Sequence, residues 1–236
     1  MLRLLGFYRM GFCMGPKGEP LSEEERRAIE VHKWYLSQKA GRDVGWAFAV
    51  EDWRKYHQSE WRQSVRRFQL LCNTEQAKMI RDYVNSKAEE GGQDVSTNAE
   101  EEWVTLYASE WRQNAEQKMR KDVEEIEEVK LEAESGMYGQ PSGAIWRHIA
   151  VINEKGLHVR PSMCLKKLLD TYSDVEVYVQ NVGTNGGAIR ITEMMDILSL
   201  GAICGDVLLF GVRGERGEEL LNEIERLFQE LAERPF

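Results

Sequence analysis

The 236-residue sequence lacks the features that mark secreted, membrane-spanning and zinc-binding proteins. It has no Cys-x-x-Cys pair, which argues against a disulfide framework and a structural zinc site. No run approaches the ~20 apolar residues that cross a bilayer. The apolar opening segment is interrupted by Arg3 and Arg9 and has no signal-peptide cleavage site. We therefore expect a cytoplasmic protein without a metal, a cofactor or a membrane-inserted segment. Its four widely spaced cysteines, expected as thiols, are Cys13, Cys72, Cys164 and Cys204.

The sequence also has no excess of positive charge. It contains 31 Lys+Arg against 40 Asp+Glu, a formal net charge of -9. Non-specific nucleic-acid binding depends on cationic side chains that release counterions, so we expect no nucleic-acid partner. The apolar fraction of 42% is ordinary for a folded globular protein, and the length suits one large domain or two small ones.

Tryptophan and β-branched residues are unevenly distributed along the chain. Six of the seven tryptophans precede residue 112, whereas Val and Ile number 12 in residues 1–140 and 16 in the shorter remainder. β-branched residues favour strands, so we expect a helical first half and an α+β second half. A Gly/Pro/Ser-rich stretch between them predicts a linker. The predicted organisation is an N-terminal segment (1–20), a helical domain of unknown role (21–134), a linker (135–144) and a second domain (145–232).

The helical half contains a repeated motif. Glu51-Asp-Trp53…Ser59-Glu-Trp-Arg-Gln63 recurs as Glu101-Glu-Trp103…Ser109-Glu-Trp-Arg-Gln113. Each copy places rings at i, i+4 and i+8 on one helix face. Two interpretations remain open: helices that pack their Trp faces into a core, or a duplicated face for a protein partner, since Trp and Arg are frequent interface anchors.

Capping signals predict where these helices begin. Ser22 and Glu25 form a capping box for a helix that ends before Gly41. Further helices are predicted over 46–72, over 73–87 with Asn73 or Thr74 as the cap, and over 97–134.

The second half contains a histidine at a predicted helix start. Pro161 suits the first turn of a helix, so His158 lies at or just before the N-terminus, where free N–H groups and the helix dipole favour an anion. A neutral imidazole nitrogen can attack a phosphoryl group, and Arg160 can donate to phosphate oxygens. The alternative is a capping or surface histidine. The other histidines have no such setting and are expected to be structural; they are His32, His57 and His148.

The periodicity of the second half predicts the order strand–helix–strand–strand–helix–strand–helix. Three motifs occur within it: Gly156-Leu-His-Val-Arg-Pro161, Met194-Met-Asp-Ile-Leu-Ser-Leu-Gly201, and Gly205-Asp206 before the last strand. Together they resemble the histidine-containing phosphocarrier (HPr) family of the bacterial sugar phosphotransferase system. The resemblance covers about residues 145–232. It implies an open-faced β-sandwich, in which three helices cover one face of a four-stranded antiparallel sheet.

The resemblance also implies a function. His158 would accept a phosphoryl group from enzyme I, which phosphoenolpyruvate charges, and would pass it to enzyme IIA-type proteins. Such a carrier is a protein co-substrate rather than a self-sufficient enzyme. Arg160 would stabilise the phosphate, at a helix start formed by Val159, Pro161 and Ser162. The residues implied in partner docking, which could instead pack under the sheet, are Met194, Met195, Leu198 and Lys167.

The sequence departs from the family in ways that keep other functions open. Glu193 stands where many members have a regulatory serine, so kinase regulation there should be absent, and Val159 replaces a small residue. The helical extension is not part of an ordinary carrier. One alternative is therefore a regulatory binding module, whose helical half acts as effector according to the phosphorylation of His158. Another is a structural module with an idle carrier site.

Overall fold

The fold is described by a computed structural model that covers residues 21–91, 96–119, 137–138, 141–184 and 186–233. The chain divides into two compact units, residues 1–62 and 63–236. The division falls inside a long helix. The domain boundaries expected from the sequence stay a prediction.

The described part of the first unit is helical, and its first helix begins at the predicted cap. Helix α1 spans Glu23–Ala40, and the Ser22 hydroxyl accepts a hydrogen bond from the Glu25 backbone N–H at 3.0 Å. Gly41 ends the helix with a φ of 65°, the left-handed conformation that glycine adopts without strain. Helix α2 spans Trp46–Tyr56. The predicted start and end of the first helix are confirmed.

The core of the first unit combines an apolar cluster with a buried ion pair. Trp53 packs with Ile29 and Val50 between α1 and α2. Glu25 is fully buried and accepts hydrogen bonds from Arg62 at 3.2 Å and from Gln58 at 2.7 Å. A buried carboxylate needs such partners, because desolvation of an unpaired charge is very costly.

The predicted boundary at residues 72–73 is wrong, and two breaks in the helices were not predicted. Helix α3 runs over Gln58–Gly91, so the break lies at His57 and residue 73 is inside the helix. Helices α4 (Ser96–Leu106) and α5 (Ala108–Met119) break at Tyr107, where one helix was expected. Residues 120–134 of that expected helix lie outside the described residues. Both breaks occupy the same position of the repeated motif, so the two copies share a local fold.

A five-stranded antiparallel sheet forms the base of the second unit. Its strands are β1 (Met137–Tyr138), β2 (Ile145–Ala150), β3 (Glu176–Asn181), β4 (Ala188–Arg190) and β5 (Val207–Arg213), in the order β1-β4-β3-β5-β2. The four expected strands are confirmed. The fifth, β1, pairs with β4 and lies within the stretch predicted as a linker.

Three helices pack on this sheet. They are α6 (Val159–Asp170), α7 (Met194–Ser199) and α8 (Gly217–Glu233). Their apolar residues share one buried core with the strands, including Leu165 of α6, Ile197 of α7 and Phe210 of β5. The α+β fold expected for this half, with a helical part before it, is confirmed.

A glycine fixes the turn that leads into α6. Gly156 has a φ of 65°, and a Cβ atom there would lie 2.3 Å from the carbonyl oxygen of Ala202. The adjacent Leu157 N–H donates to that same oxygen at 2.9 Å. This close approach of the two backbone segments positions Leu157 and His158, the two residues that precede α6.

We expect Gly156→Ala to destabilise the second unit by about 3 kcal/mol, because left-handed strain and a backbone clash combine. The matched control is Gly143→Ala. Gly143 has a φ of 79°, and a Cβ atom there would meet no atom of the described residues within 4 Å, so strain alone should cost about 1 kcal/mol. Urea denaturation measures both free energies of unfolding. Equal losses would show that the contact with Ala202 is not tight.

Candidate functional site

His158 is the residue that caps helix α6. Its backbone is extended (φ -97°, ψ -175°), and its carbonyl oxygen accepts the first helical hydrogen bond from the Ser162 N–H at 3.0 Å. Pro161 lies in the first turn, where its missing N–H leaves no donor unsatisfied. The imidazole is thus attached at the positive end of the α6 dipole, as the sequence predicted.

The imidazole of His158 is buried and uncharged. The side chain is 7% exposed. Burial lowers the pKa of His158 from 6.5 to about 3, and the positive charges of Arg112, Arg160 and Lys155 act in the same direction. At neutral pH the ring therefore holds a nitrogen lone pair, which a nucleophile requires.

Arg160 contacts helix α4. Its Nε donates to the carbonyl oxygen of Val104 and its Nη2 to that of Thr105, both at 3.3 Å. These carbonyls lie in the last turn of α4, where unsatisfied oxygens and the negative dipole end favour a cation. The predicted phosphate-stabilising group is thus engaged by the helical segment, a name we use for residues 63–91 and 96–119.

The residues predicted for partner docking lie against the same helical segment. Met194 (4% exposed) and Leu198 (0% exposed) are buried in one cluster with Val159. Met195 packs against this cluster, and Lys167 forms an ion pair with Glu101. The cluster is completed by residues of α3, α4 and the start of α5: Ala77, Ile80, Trp103, Val104 and Ala108. We call the predicted docking residues together with Val159 the carrier face.

A buried asparagine connects α3 to both sides of the carrier face. Asn73 is fully buried, and its Nδ2 donates to the carbonyl oxygens of Leu157 at 3.2 Å and Leu198 at 3.1 Å. The side chain that was predicted to cap a helix therefore bonds across the unit instead. Asn is an acceptable residue inside a helix when tertiary partners satisfy its amide.

Two further contacts hold α3 against this part of the unit. Arg66 Nη2 donates to the two carboxylate oxygens of the buried Asp206 at 2.9 and 3.1 Å. Leu70 approaches Gly201 so closely that a Cβ there would lie 2.8 Å from the leucine side chain. Arg66 and Leu70 thus hold α3 against the loop between α7 and β5.

Arg112 and Gln69 belong to the site but were missed from the sequence. The buried Arg112 guanidinium donates to Gln69 Oε1 at 2.6 Å, and Gln69 Nε2 approaches Asn73 Oδ1 at 3.5 Å. A signal was present in the repeat, because Arg112 occupies the position of Arg62, which binds the buried Glu25.

Glu193 lies at the N-cap of α7, close to a carboxyl group of α4. Asp196 accepts hydrogen bonds from the Thr192 and Glu193 backbone N–H groups at 2.8 and 2.9 Å. Partial burial raises the pKa of Glu100, and the negative charge of Glu193 raises it further. Glu193, at the position of the regulatory serine expected from the resemblance, thus acts on Glu100 of α4, and Lys166 partly offsets its effect.

A separate group of potential ligands lies in the first unit. The ligand atoms of His32, Asp52 and His57 lie within 4.8 Å of one another. His32 Nε2 and Asp52 Oδ2 are 2.8 Å apart, and the two imidazole rings are in edge contact. The hydrogen bond and ring contact account for this grouping, and a structural role for these histidines stays a prediction.

Comparison with known proteins identifies the second half of the chain. Residues 145–230 match the PTS-HPr family model, described as the PTS HPr component phosphorylation site. This segment is HPr-like. The matched residues include His158 and every residue of the carrier face, whereas the helical segment precedes the match.

Individual relatives are similar to the same part of the chain. The multiphosphoryl transfer protein of Haemophilus influenzae is 33% identical over 84 residues, which are 36% of this chain and 17% of that protein. The HPr structure from Bacillus anthracis is 17% identical, with coverage of 36% of this chain and 98% of that one (TM-score 0.33). HPr-C-His from Thermoanaerobacter tengcongensis is 22% identical, with coverage of 39% and 99% (TM-score 0.35).

The helices were also compared with the requirements of a membrane span. Among the described residues, none of the helices is both long enough and apolar enough to cross a bilayer.

The buried, neutral state of His158 predicts a specific pH dependence. Its pKa of about 3 in the folded state is below the unfolded value of 6.5, so the unfolded chain gains a proton first as the pH falls. Stability is therefore complete above about pH 6.5 and decreases between there and about pH 3, by about 2 kcal/mol at pH 5.

Urea denaturation at about pH 7.5 and pH 5 tests this. The His158→Gln variant should lose about 2 kcal/mol less than the unsubstituted chain on acidification. The matched control is His148→Gln, at an exposed position of β2, which should keep the full pH dependence. Equal losses in the unsubstituted chain and His158→Gln would mean that the histidine is not buried.

Proposed function

We propose that the protein is a phosphoryl carrier of the phosphotransferase system, with His158 as the acceptor. Enzyme I charged by phosphoenolpyruvate is the donor, and enzyme IIA-type proteins are the acceptors, in the cytoplasm. The observation that carries this proposal is the neutral imidazole of His158 at the N-terminus of α6, within the HPr-like residues.

The transfer uses the lone pair of one imidazole nitrogen. As this nitrogen forms a bond to phosphorus, the bond between phosphorus and the donor breaks, and its electron pair returns to the donor. The phosphoryl group then carries its negative charge toward the N–H groups at the start of α6. Transfer to the next protein reverses these bond changes, so the chain turns over as a co-substrate.

Arg160 is the predicted partner of the phosphoryl oxygens. A guanidinium can donate two hydrogen bonds to such a group. It now donates to neutral carbonyls of α4, which are weaker acceptors than a phosphoryl dianion. We propose that Arg160 turns to the phosphoryl group when His158 is modified.

Incubation of the full chain with phosphoenolpyruvate and enzyme I should yield one acid-labile phosphoryl group per chain. The variant His158→Ala should abolish the adduct, because the attacking nitrogen is lost. The control His148→Ala should be phosphorylated like the unsubstituted chain. Absence of an adduct with several enzyme I preparations would contradict the proposal.

A second candidate function is a regulatory module, and the contacts between α3–α5 and the carrier face favour it. Asn73, Trp103 and Arg160 connect the helical segment to the immediate surroundings of His158. Phosphorylation could therefore change which surface of the helical segment other proteins bind. Pull-downs with the phosphorylated and unphosphorylated full chain should capture different partners, and identical partner sets would count against this function.

A further inference from the structure

The carrier face is already occupied by the chain's own helices. Met194 and Leu198 are buried against Trp103 and its neighbours, and Lys167 is paired with Glu101. In the proposed function these are the residues that meet enzyme I and the acceptors. An external protein cannot contact Met194 and Leu198 while the helical segment lies there, and Lys167 is engaged by Glu101 although it is half exposed.

The same helices cover the residues on both sides of His158. Asn73 binds the carbonyl oxygen of Leu157, Val159 is buried in the cluster with Trp103, and Arg160 donates to α4. Phosphoryl transfer needs the donor phosphorus about 3–3.5 Å from the nitrogen and in line with it. A side chain that is 7% exposed does not allow a protein donor this approach.

The contacts that cover the site can be broken and re-formed. The hydrogen bonds and ion pairs exchange their partners for water when the helices move away, so opening costs chiefly the exposure of the apolar cluster. One group opposes closure: the carboxyl of Glu100 on α4 is partly buried. Burial and the negative charge of Glu193 raise its pKa, whereas the positive charge of Lys166 acts in the opposite direction. A partly buried carboxylate with a like charge nearby weakens an interface.

We propose that residues 63–91 and 96–119 are an intramolecular inhibitor of phosphoryl transfer, which closes over the carrier face and must move away before His158 can react. This inference rests on the proposed carrier function. The rate of phosphorylation is then the rate of an open carrier multiplied by the fraction of chains that are open. A chain that is open about 1% of the time is modified about 100-fold more slowly than an open carrier.

Chemical modification measures the opening without any phosphotransferase protein. Diethyl pyrocarbonate reacts with neutral, accessible imidazole, and peptide mass spectrometry gives a separate rate for each histidine. His148 is exposed on β2 and serves as the reference within the same chain. We expect His158 to react at least about tenfold more slowly than His148. Equal rates would overturn the proposal.

Two substitutions in the helical segment should loosen the closed form. Asn73→Ala removes the donor to Leu157 and Leu198, and Trp103→Ala removes the largest side chain in the cluster. Each should raise the rate at His158 about tenfold or more, since each removes a contact of the closed form alone. The matched controls at exposed positions of α3 and α4, Asn85→Ala and Leu106→Ala, should leave it unchanged. An unchanged rate in both loosened variants would overturn the proposal.

A third substitution acts in the opposite direction and excludes unfolding as the explanation. Glu100→Gln removes the charge that burial and Glu193 disfavour, so it should favour the closed form and slow the reaction of His158 several-fold. A rate equal to or above that of the unsubstituted chain would contradict the proposal.

Phosphorylation by enzyme I and phosphoenolpyruvate is then measured on the same variants. Faster phosphorylation of Asn73→Ala and Trp103→Ala, in proportion to their diethyl pyrocarbonate rates, supports inhibition by closure. Where the unsubstituted chain is phosphorylated, faster modification of the variants without faster phosphorylation overturns it. If none of the chains is phosphorylated while the modification rates change as expected, the carrier function fails and the covering of His158 stands.

Discussion

The burial of His158 is the constraint on which the rest of the site depends. A phosphoryl acceptor needs a neutral nitrogen, and burial beside three positive charges keeps the ring neutral well below pH 7. The same burial separates the nitrogen from any protein donor. A nucleophilic imidazole must be kept neutral, whereas a reacting imidazole must be accessible to the donor. The packing of α3–α5 on the site favours the neutral ring and opposes access to it.

Asn73 fixes the position of α3 along the carrier face. Its amide lies in the middle of α3 and donates to carbonyl oxygens of two separate elements, Leu157 in the loop before α6 and Leu198 near the end of α7. A shift of the helix by one residue would break both hydrogen bonds and leave the buried amide unsatisfied, which is costly in a protein interior. The apolar cluster holds the helices against the carrier face, and the Asn73 amide selects one position of α3 on it.

The sequence predicted local structure well and tertiary contacts poorly. The β-branched periodicity, Pro161 and Gly156-Leu-His158 identified the HPr-like fold because each of these signals is local. Asn73 was misassigned because its preference for helix caps is also local, whereas its partners are Leu157 and Leu198. The breaks in α2–α3 and α4–α5 have no Gly or Pro to mark them. The packing of α3–α5 on the carrier face depends on contacts between side chains that are far apart in the sequence. A periodic pattern in the sequence does not reveal such contacts.

The arginines in the two copies of the Ser-Glu-Trp-Arg-Gln motif act on different partners. In the first unit Arg62 donates a hydrogen bond to the buried carboxylate of Glu25. In the second unit the positive charge of Arg112 acts on His158, whose ring is neutral at pH 7. The same motif position thus holds an arginine opposite a carboxylate in the first unit. In the second unit it holds an arginine beside an imidazole that would become anionic on phosphorylation.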